Sequence, residues 1–494
     1  MKYTNPIVKG FYPDPSVCFA NGKYYMVCSS FQYFPGVPLF ESENLVNWKQ
    51  IGHILTRKEQ VMLEKIESSG GVFAPTIRFH NGRFYMTTTN NSTQQNFYVY
   101  TDDIYGEWSD SIYVDQDGID PSLFFEDEKA YFMSTGYDDF GGHGIVQCEI
   151  NIETGEKLTS SKVIWKGSGR RFLESPHLYK INGTYYLMAA EGGTEYGHMI
   201  TYARSNDVWG PFENYPNNPV LTNKNKAPFI IQGIGHGDLI QDTYGDWHIL
   251  SLGFRQIHEW QPYHHLGREV FLTPVTFHED GWFTAGNDGT TEESYEIQGS
   301  FTQAEKKLYT FENTDWNVDW CYLRHPHMEN YQHFTDKLVL KGTDITLEDV
   351  DSPTFIGMRQ RDFVCDVSCD VTLDKGEAGI TFYMTENEHY DLAVRKTGNG
   401  YEAALKLNIG GIKHIQHTIP LENGKAKLVV HADALKYTFC IQDGDNEITL
   451  GCGNTKYLSS EVAGGFTGVI IGLYAVYADN AVFTNYHCLY SREQ

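Results

Sequence analysis

Short runs of alternating apolar and polar residues, broken by turns containing Gly, Asn or Asp, fill this chain, and few stretches keep a helical period. The alternation is organised. One unit recurs five times: a polar start, an apolar strand, a tight turn, then an aromatic strand. It reads Asp14-Pro15-Ser16-Val17 with Asn21-Gly22-Lys23 and Tyr24-Tyr25-Met26-Val27, then Ala74-Pro75-Thr76-Ile77 with Asn81-Gly82-Arg83 and Phe84-Tyr85-Met86. Asp120-Pro121-Ser122-Leu123, Ser175-Pro176-His177-Leu178 and Gly237-Asp238-Leu239-Ile240 open the other three units. Each interval between starts holds about four short strands, the size of one antiparallel propeller blade. The pattern predicts an all-β chain whose first part is a five-bladed β-propeller, with the first strand of every blade lining a central channel. Val270-Phe271-Leu272 and Val275-Thr276-Phe277 are candidates to close the ring.

A polar, Gly-bearing stretch near 287–300 reads as a linker. Beyond it, alternation resumes in Phe363–Val367, Ile380–Tyr383, Tyr390–Val394, Lys427–Val430 and Tyr437–Ile441, with turns at Gly376, Asn399-Gly400 and Asp443-Gly444-Asp445. That predicts an antiparallel β-sandwich. The expected domains are 1–295, a propeller, and 296–494, a sandwich.

Charge narrows the partners. The 494 residues carry 38 Lys and Arg against 64 Asp and Glu, a net charge of −26. Nucleic acid is excluded, because phosphate recognition needs a basic surface. No apolar run is long enough to span a bilayer, and the acidic balance opposes docking to anionic lipid. The first residues lack the apolar centre of a signal peptide. Nine scattered Cys with no CxxC pair read as buried thiols in a reducing compartment, with Cys365 and Cys369 on the core face of one strand. A cytoplasmic protein is expected.

The repeat also places acids. Just before the common Pro stand Asp14, Ala74, Asp120 and Ser175, and Glu174 lies one position earlier in the fourth unit. His236 takes the position matching Glu174 in the fifth. One Asp-Pro-Ser is an ordinary turn. Two of them plus Glu174, converging at one channel mouth, form a like-charge cluster that a fold tolerates when chemistry uses it. Opposed carboxyls, one protonated and one ionised, are the machinery of glycoside hydrolysis.

At these residues the chain resembles glycoside hydrolase family 43. The resemblance rests on Gly10-Phe11-Tyr12-Pro13-Asp14-Pro15-Ser16, Ile119-Asp120-Pro121-Ser122, Glu174-Ser175-Pro176-His177, Ala190-Glu191-Gly192-Gly193-Thr194, Gly235-His236-Gly237-Asp238 and Leu266-Gly267-Arg268-Glu269. Gly464-Gly465-Phe466-Thr467-Gly468 and Gly472-Leu473-Tyr474 are similar to the concanavalin-like C-terminal domain of family β-xylosidases. The resemblance implies a hydrolase that inverts the anomeric centre. Asp14 would be the general base, Glu174 the general acid, and Asp120 the residue that positions Glu174 and raises its pKa. Arg268 would bind sugar hydroxyls, Phe31 and Phe73 would wall the pocket, and Phe466 would enter it from the second domain. His236 would sit on the axis, where the resemblance leaves a structural calcium open. No cofactor is required. His264-His265 match zinc ligands only superficially, and Asp115-x-Asp117-Gly118-x-Asp120 is a weak calcium-loop match.

Phe73 stands where family xylosidases commonly have Trp, and Ser175 where they have Gly. With Phe34–Pro38 and Glu195–Met199, this looks closer to a branch rich in α-L-arabinofuranosidases. The expectation is an exo-acting enzyme that releases terminal α-L-arabinofuranose from small oligosaccharides. A β-D-xylosidase is the first alternative, and an inactive carbohydrate-binding protein the alternative of another class. A homo-oligomer is left open.

Overall fold

The computed structural model describes residues 1–303 and 305–490. Five four-stranded antiparallel sheets follow one another in chain order. Blade one is Ser16–Ala20, Lys23–Val27, Gly36–Ser42 and Lys49–Leu55, and blade two is Thr76–His80, Arg83–Asn90, Gln95–Thr101 and Ile112–Val114. Blade three opens with Ile119–Glu126, blade four with Glu174–Ile181 and blade five with Ile231–Gln241. The hairpins Asn21-Gly22, Asn81-Gly82 and Asn182-Gly183 have positive φ at both residues, 52/82°, 48/83° and 51/84°. This is the turn that matches strand twist, and Asn-Gly supplies it cheaply. Aromatic second strands then fill the space between blades, as where Tyr25 of blade one meets Phe84 of blade two edge-on at 5.3 Å.

Ring closure differs from expectation. Glu269–Phe277 is the third strand of blade five, not a closing strand. The ring is instead tied by the N-terminal segment. The Asn5 side chain donates to the Leu272 carbonyl and accepts from its N–H, at 3.0 and 2.9 Å, Val8 bridges Val270, and Lys2–Thr4 pairs with Ser294–Glu296.

The remaining strands form two sheets packed face to face. The six-stranded sheet runs Thr354–Arg359, Ile470–Val476, Glu377–Thr385, Glu388–Thr397, Gly400–Ile409 and Ile412–Leu421. The other places Ala481–Tyr490 between Lys337–Leu340 and Cys365–Thr372, continuing through Lys425–Ala432, Lys436–Asp443 and Asn446–Asn454. Alternation sets the faces. Cys365, Val367, Cys369 and Val371 are buried in the core while Asp366, Ser368 and Asp370 between them face outwards. Eight cysteines are buried, but Cys452 is exposed, because its position on the edge strand Asn446–Asn454 turns it outwards.

The outer face of the six-stranded sheet packs on the propeller. Phe355, Tyr383, Ile470 and Tyr474 cluster with Phe11, Phe31 and Tyr33. Asp362 receives Lys9 at 2.8 Å and Arg255 at 3.1 Å, and buried Arg324 donates to the Ile66 and Asp351 carbonyls at 2.6 Å and pairs with Glu386. The sandwich is thus fixed against the loops that surround the channel mouth.

Candidate active site

Four blades carry, in or just before the inner strand, a left-handed residue that is not glycine: Asp14 (φ 56°), Asp120 (54°), Ser175 (60°) and His236 (42°). Such a conformation costs about 1–3 kcal/mol and persists where the surroundings over-determine it. In blades three, four and five the ladder skips here, between Ile119 and Ser122, Glu174 and His177, and Gly235 and Gly237. The skipped residues leave the sheet and converge on the axis.

This geometry corrects the alignment of the fifth unit. His236 matches Asp14, Asp120 and Ser175, not Glu174, so Gly237 stands where the other units have Pro. Gly237 is also packed too tightly for a side chain. A Cβ there would meet Ile200 Cδ1 at 2.6 Å and Ile249 Cγ2 at 2.7 Å.

Asp14 is buried and held on both oxygens. Oδ2 accepts from the Ser29 hydroxyl at 2.5 Å, and Oδ1 from Arg268 Nη1 at 3.1 Å, with His236 Nδ1 at 3.5 Å. Burial pushes the Asp14 carboxyl up, but Arg268, then His236 and the Ser29 hydroxyl more than offset it, so it lies below the usual carboxylate range. Asp120 behaves in the opposite way. Burial first, then the neighbouring charges of Glu174 and Asp14, push it well above that range, against one hydrogen bond from the Ser175 N–H at 3.1 Å. The cluster therefore favours the protonated form of Asp120 more than water does.

Glu174 is the most accessible of the three acids, its side chain 19% exposed. Its Oε1 lies 3.2 Å from Nε2 of His198, a fully buried residue that the sequence reading did not single out. The other His198 nitrogen, Nδ1, donates to the Gly233 carbonyl 3.3 Å away, which turns Nε2 towards Glu174. The seat is tight. A Cβ on Gly235 would lie 2.3 Å from the imidazole. Glu191, from the Ala190–Thr194 motif, supports rather than joins the acids. It accepts from the Ser168 N–H and hydroxyl and the Arg170 N–H, at 3.1, 2.6 and 2.8 Å, and so fixes the loop that leads into Glu174.

Arg268 joins the two domains at the pocket. Besides Asp14 it donates to Thr194 Oγ1 at 2.8 Å and to the Phe466 carbonyl at 3.2 Å, and it lies over the Phe31 and Phe466 rings. Phe31, Phe73 and Phe466 are mutual neighbours, with centroids 5.4 to 5.9 Å apart. The Phe466 loop is anchored on the propeller. Its N–H donates to Ser69 Oγ at 2.9 Å, and Gly465 beside it, at φ 75°, has room for no Cβ against the same hydroxyl. Glu461 at its base accepts from the His264 N–H and imidazole, at 2.9 and 2.6 Å, and from Tyr196 at 3.1 Å. His264 thus serves a latch. His265 is buried with neither ring nitrogen bonded, and burial depresses its pKa to about 3.

A calcium ion does not fit beneath His236. Two residues deeper in the channel, the Arg78 guanidinium already supplies a fixed cation, 2.8 and 3.2 Å from the two Asp238 oxygens and 2.9 Å from His177 Nδ1. Asp238 also accepts from the Ser16 hydroxyl at 2.7 Å, the Val17 N–H at 3.0 Å and the Tyr179 hydroxyl. Its lone pairs are used, and a second cation there would face Arg78. Asp117, in the weak calcium-loop match, accepts the Tyr137 N–H at 2.9 Å.

The family described as glycosyl hydrolases family 43 matches residues 3–283, and the β-xylosidase C-terminal concanavalin A-like domain matches residues 309–486. A non-reducing-end α-L-arabinofuranosidase of Bacteroides ovatus is 38% identical over 490 residues, which cover 96% of this chain and 91% of that protein. A xylosidase/arabinosidase of Butyrivibrio fibrisolvens is 35% identical over 515 residues, covering 99% and 98%. Among solved structures, the Bacteroides ovatus xyloglucan PUL GH43B superimposes with a TM-score of 0.93 at 36% identity, over 100% of both chains. An acid cluster at a propeller mouth, walled by a sandwich of this type, agrees with those likenesses, and the chain is a glycoside hydrolase that belongs to family 43.

Proposed function

We propose that this enzyme is an exo-acting, inverting α-L-arabinofuranosidase that also accepts β-D-xylosides, acting on short hemicellulose-derived oligosaccharides. The observation that carries the proposal is the opposed protonation of the acids around one pocket. Asp14 is kept ionised by Arg268, His236 and Ser29, while burial and the neighbouring charges of Glu174 and Asp14 favour a proton on Asp120. The ionised Asp14 takes a proton from water as that water attacks the anomeric carbon. Glu174 gives its proton to the leaving oxygen on the other side. Asp120, whose carboxyl resists ionisation, positions the acid, and His198 holds Oε1 of Glu174 in place. Arg268, neutralising Asp14 and facing the pocket, orients sugar hydroxyls. Phe31, Phe73 and Phe466 enclose a single residue, which suits removal of one terminal sugar at a time. The activities of the relatives from Bacteroides ovatus and Butyrivibrio fibrisolvens support the arabinose and xylose specificities.

The test uses 4-nitrophenyl α-L-arabinofuranoside and β-D-xylopyranoside, with the first-formed anomer followed by NMR. Inversion with faster arabinoside turnover is expected, and retention overturns the assignment of Asp14. Glu174→Gln should slow turnover by about 10²–10⁴ while preserving sugar binding. A wild-type rate in this variant refutes the role of Glu174.

A further inference from the structure

The sandwich carries a donor cluster far from the sugar pocket, on the outer face of the sheet that turns its back to the propeller. Strand register builds it. Asp366 is opposite His431, and Cys440 pairs with Val429, two residues from His431 and therefore on the same face. Glu447 pairs with Gln442, two residues from Cys440. One ligand atom each from His431, Cys440 and Glu447 lies within 4.8 Å of the others. His431 is oriented from behind. Asp366 Oδ1 takes its Nδ1 at 2.7 Å, so Nε2 is turned towards Glu447 Oε2, 2.8 Å away. A carboxylate that fixes one imidazole nitrogen while the other meets an ion is the usual support of a metal-binding histidine. Cys440 is almost fully buried beneath the cluster, and Thr449 Oγ1, at 3.5 Å, is its only hydrogen-bond contact among the described residues.

We propose that His431, Cys440 and Glu447 bind a divalent cation of the zinc class, with Asp366 orienting His431. One nitrogen, one sulfur and one carboxylate suit zinc, and exclude calcium and magnesium, which take oxygen ligands. The ion takes the place of the proton between His431 and Glu447 and of the Cys440 thiol proton, and solvent completes a tetrahedron. It would join three adjacent strands at the edge of the sheet, Lys425–Ala432, Lys436–Asp443 and Asn446–Asn454.

The full-length protein is titrated with Zn²⁺ by calorimetry and with Co²⁺ by absorbance. One equivalent should bind, and Co²⁺ should show a thiolate charge-transfer band. Cys440→Ser should abolish the band, His431→Gln should remove the equivalent, and Asp366→Asn should weaken it by about 10–100-fold. All three should hydrolyse aryl arabinosides at the wild-type rate. Circular dichroism confirms that each is folded, and Glu447→Gln supplies a fourth variant if one is not. Absence of a one-equivalent site, or binding that survives both Cys440→Ser and His431→Gln, overturns the proposal. Loss of binding in Glu174→Gln instead assigns the ion to the sugar pocket and also overturns it.

Discussion

Two layers of the same channel treat charge in opposite ways. At the mouth, three acids, Asp14, Asp120 and Glu174, stand near one guanidinium, Arg268, which bonds only Asp14 of the three, and Asp120 is left with a single backbone donor. Two residues deeper, one carboxylate, Asp238, meets one guanidinium, Arg78, and accepts five hydrogen bonds in all. The inner layer crosses blades one, two, four and five and is balanced. The outer layer carries an excess of acid that makes one carboxyl a base and favours a proton on Asp120. The same strands, displaced by two positions, therefore build a structural fastening and a reactive site.

Four substitutions separate the layers. Asp14→Asn should lower kcat by about 10³–10⁴, or ~4–5.5 kcal/mol, while the melting temperature stays close to that of the wild type. A comparable loss of stability would mean that the outer layer also fastens the ring. Asp238→Asn strips the buried Arg78 of its counter-ion and should cost about 3–5 kcal/mol in denaturant unfolding. Turnover per folded molecule should change little, and the paired Arg78→Met, Asp238→Leu protein should recover most of the stability.

Asp120→Asn sharpens the contrast, because it should slow turnover by roughly 10²-fold yet stabilise the fold at neutral pH. The sign follows from the raised pKa of Asp120. A carboxyl raised in the native state supports folding below its ordinary value of 3.8 and loses that support as pH rises through the native value. The variant's advantage in melting temperature should accordingly vanish as pH falls towards 4. Asp238 has the opposite sign. Its lowered pKa gives stability that is present above 3.8 and lost as pH falls below it. The smallest effect is expected from Phe466→Ala, a KM rise of about tenfold with kcat less affected, because that ring encloses substrate without touching protons.

The outer layer was the more legible in sequence. Asp14 and Asp120 each precede a Pro in a repeated phrase, and Glu174 flanks a third copy. Blade five misled because Gly237 replaces that Pro and the following turn is longer, running from Gln241 to Trp247. Arg78 carried no local signal. Its partner Asp238 is 160 residues away and meets it only when the ring closes. His198 was hidden in the same way, since its role depends on Gly233 and Glu174 from two different blades. Five strands of the sandwich followed from alternation, while others, Ile470–Val476 and Ala481–Tyr490 among them, were not named, and the reach of Phe466 into the pocket could be read only by resemblance.

The strand Ile470–Val476 lies between Thr354–Arg359 and Glu377–Thr385, although it follows both in chain order. During synthesis the five blades, and all three acids, are complete once residue 285 has emerged. None of the sheet that backs the Phe466 loop has been made at that stage, and Ile470–Val476 joins its two parts last. A nascent chain therefore carries the chemistry before it has the wall that holds a sugar against it. The order of residues therefore also sets when the pocket gains its wall.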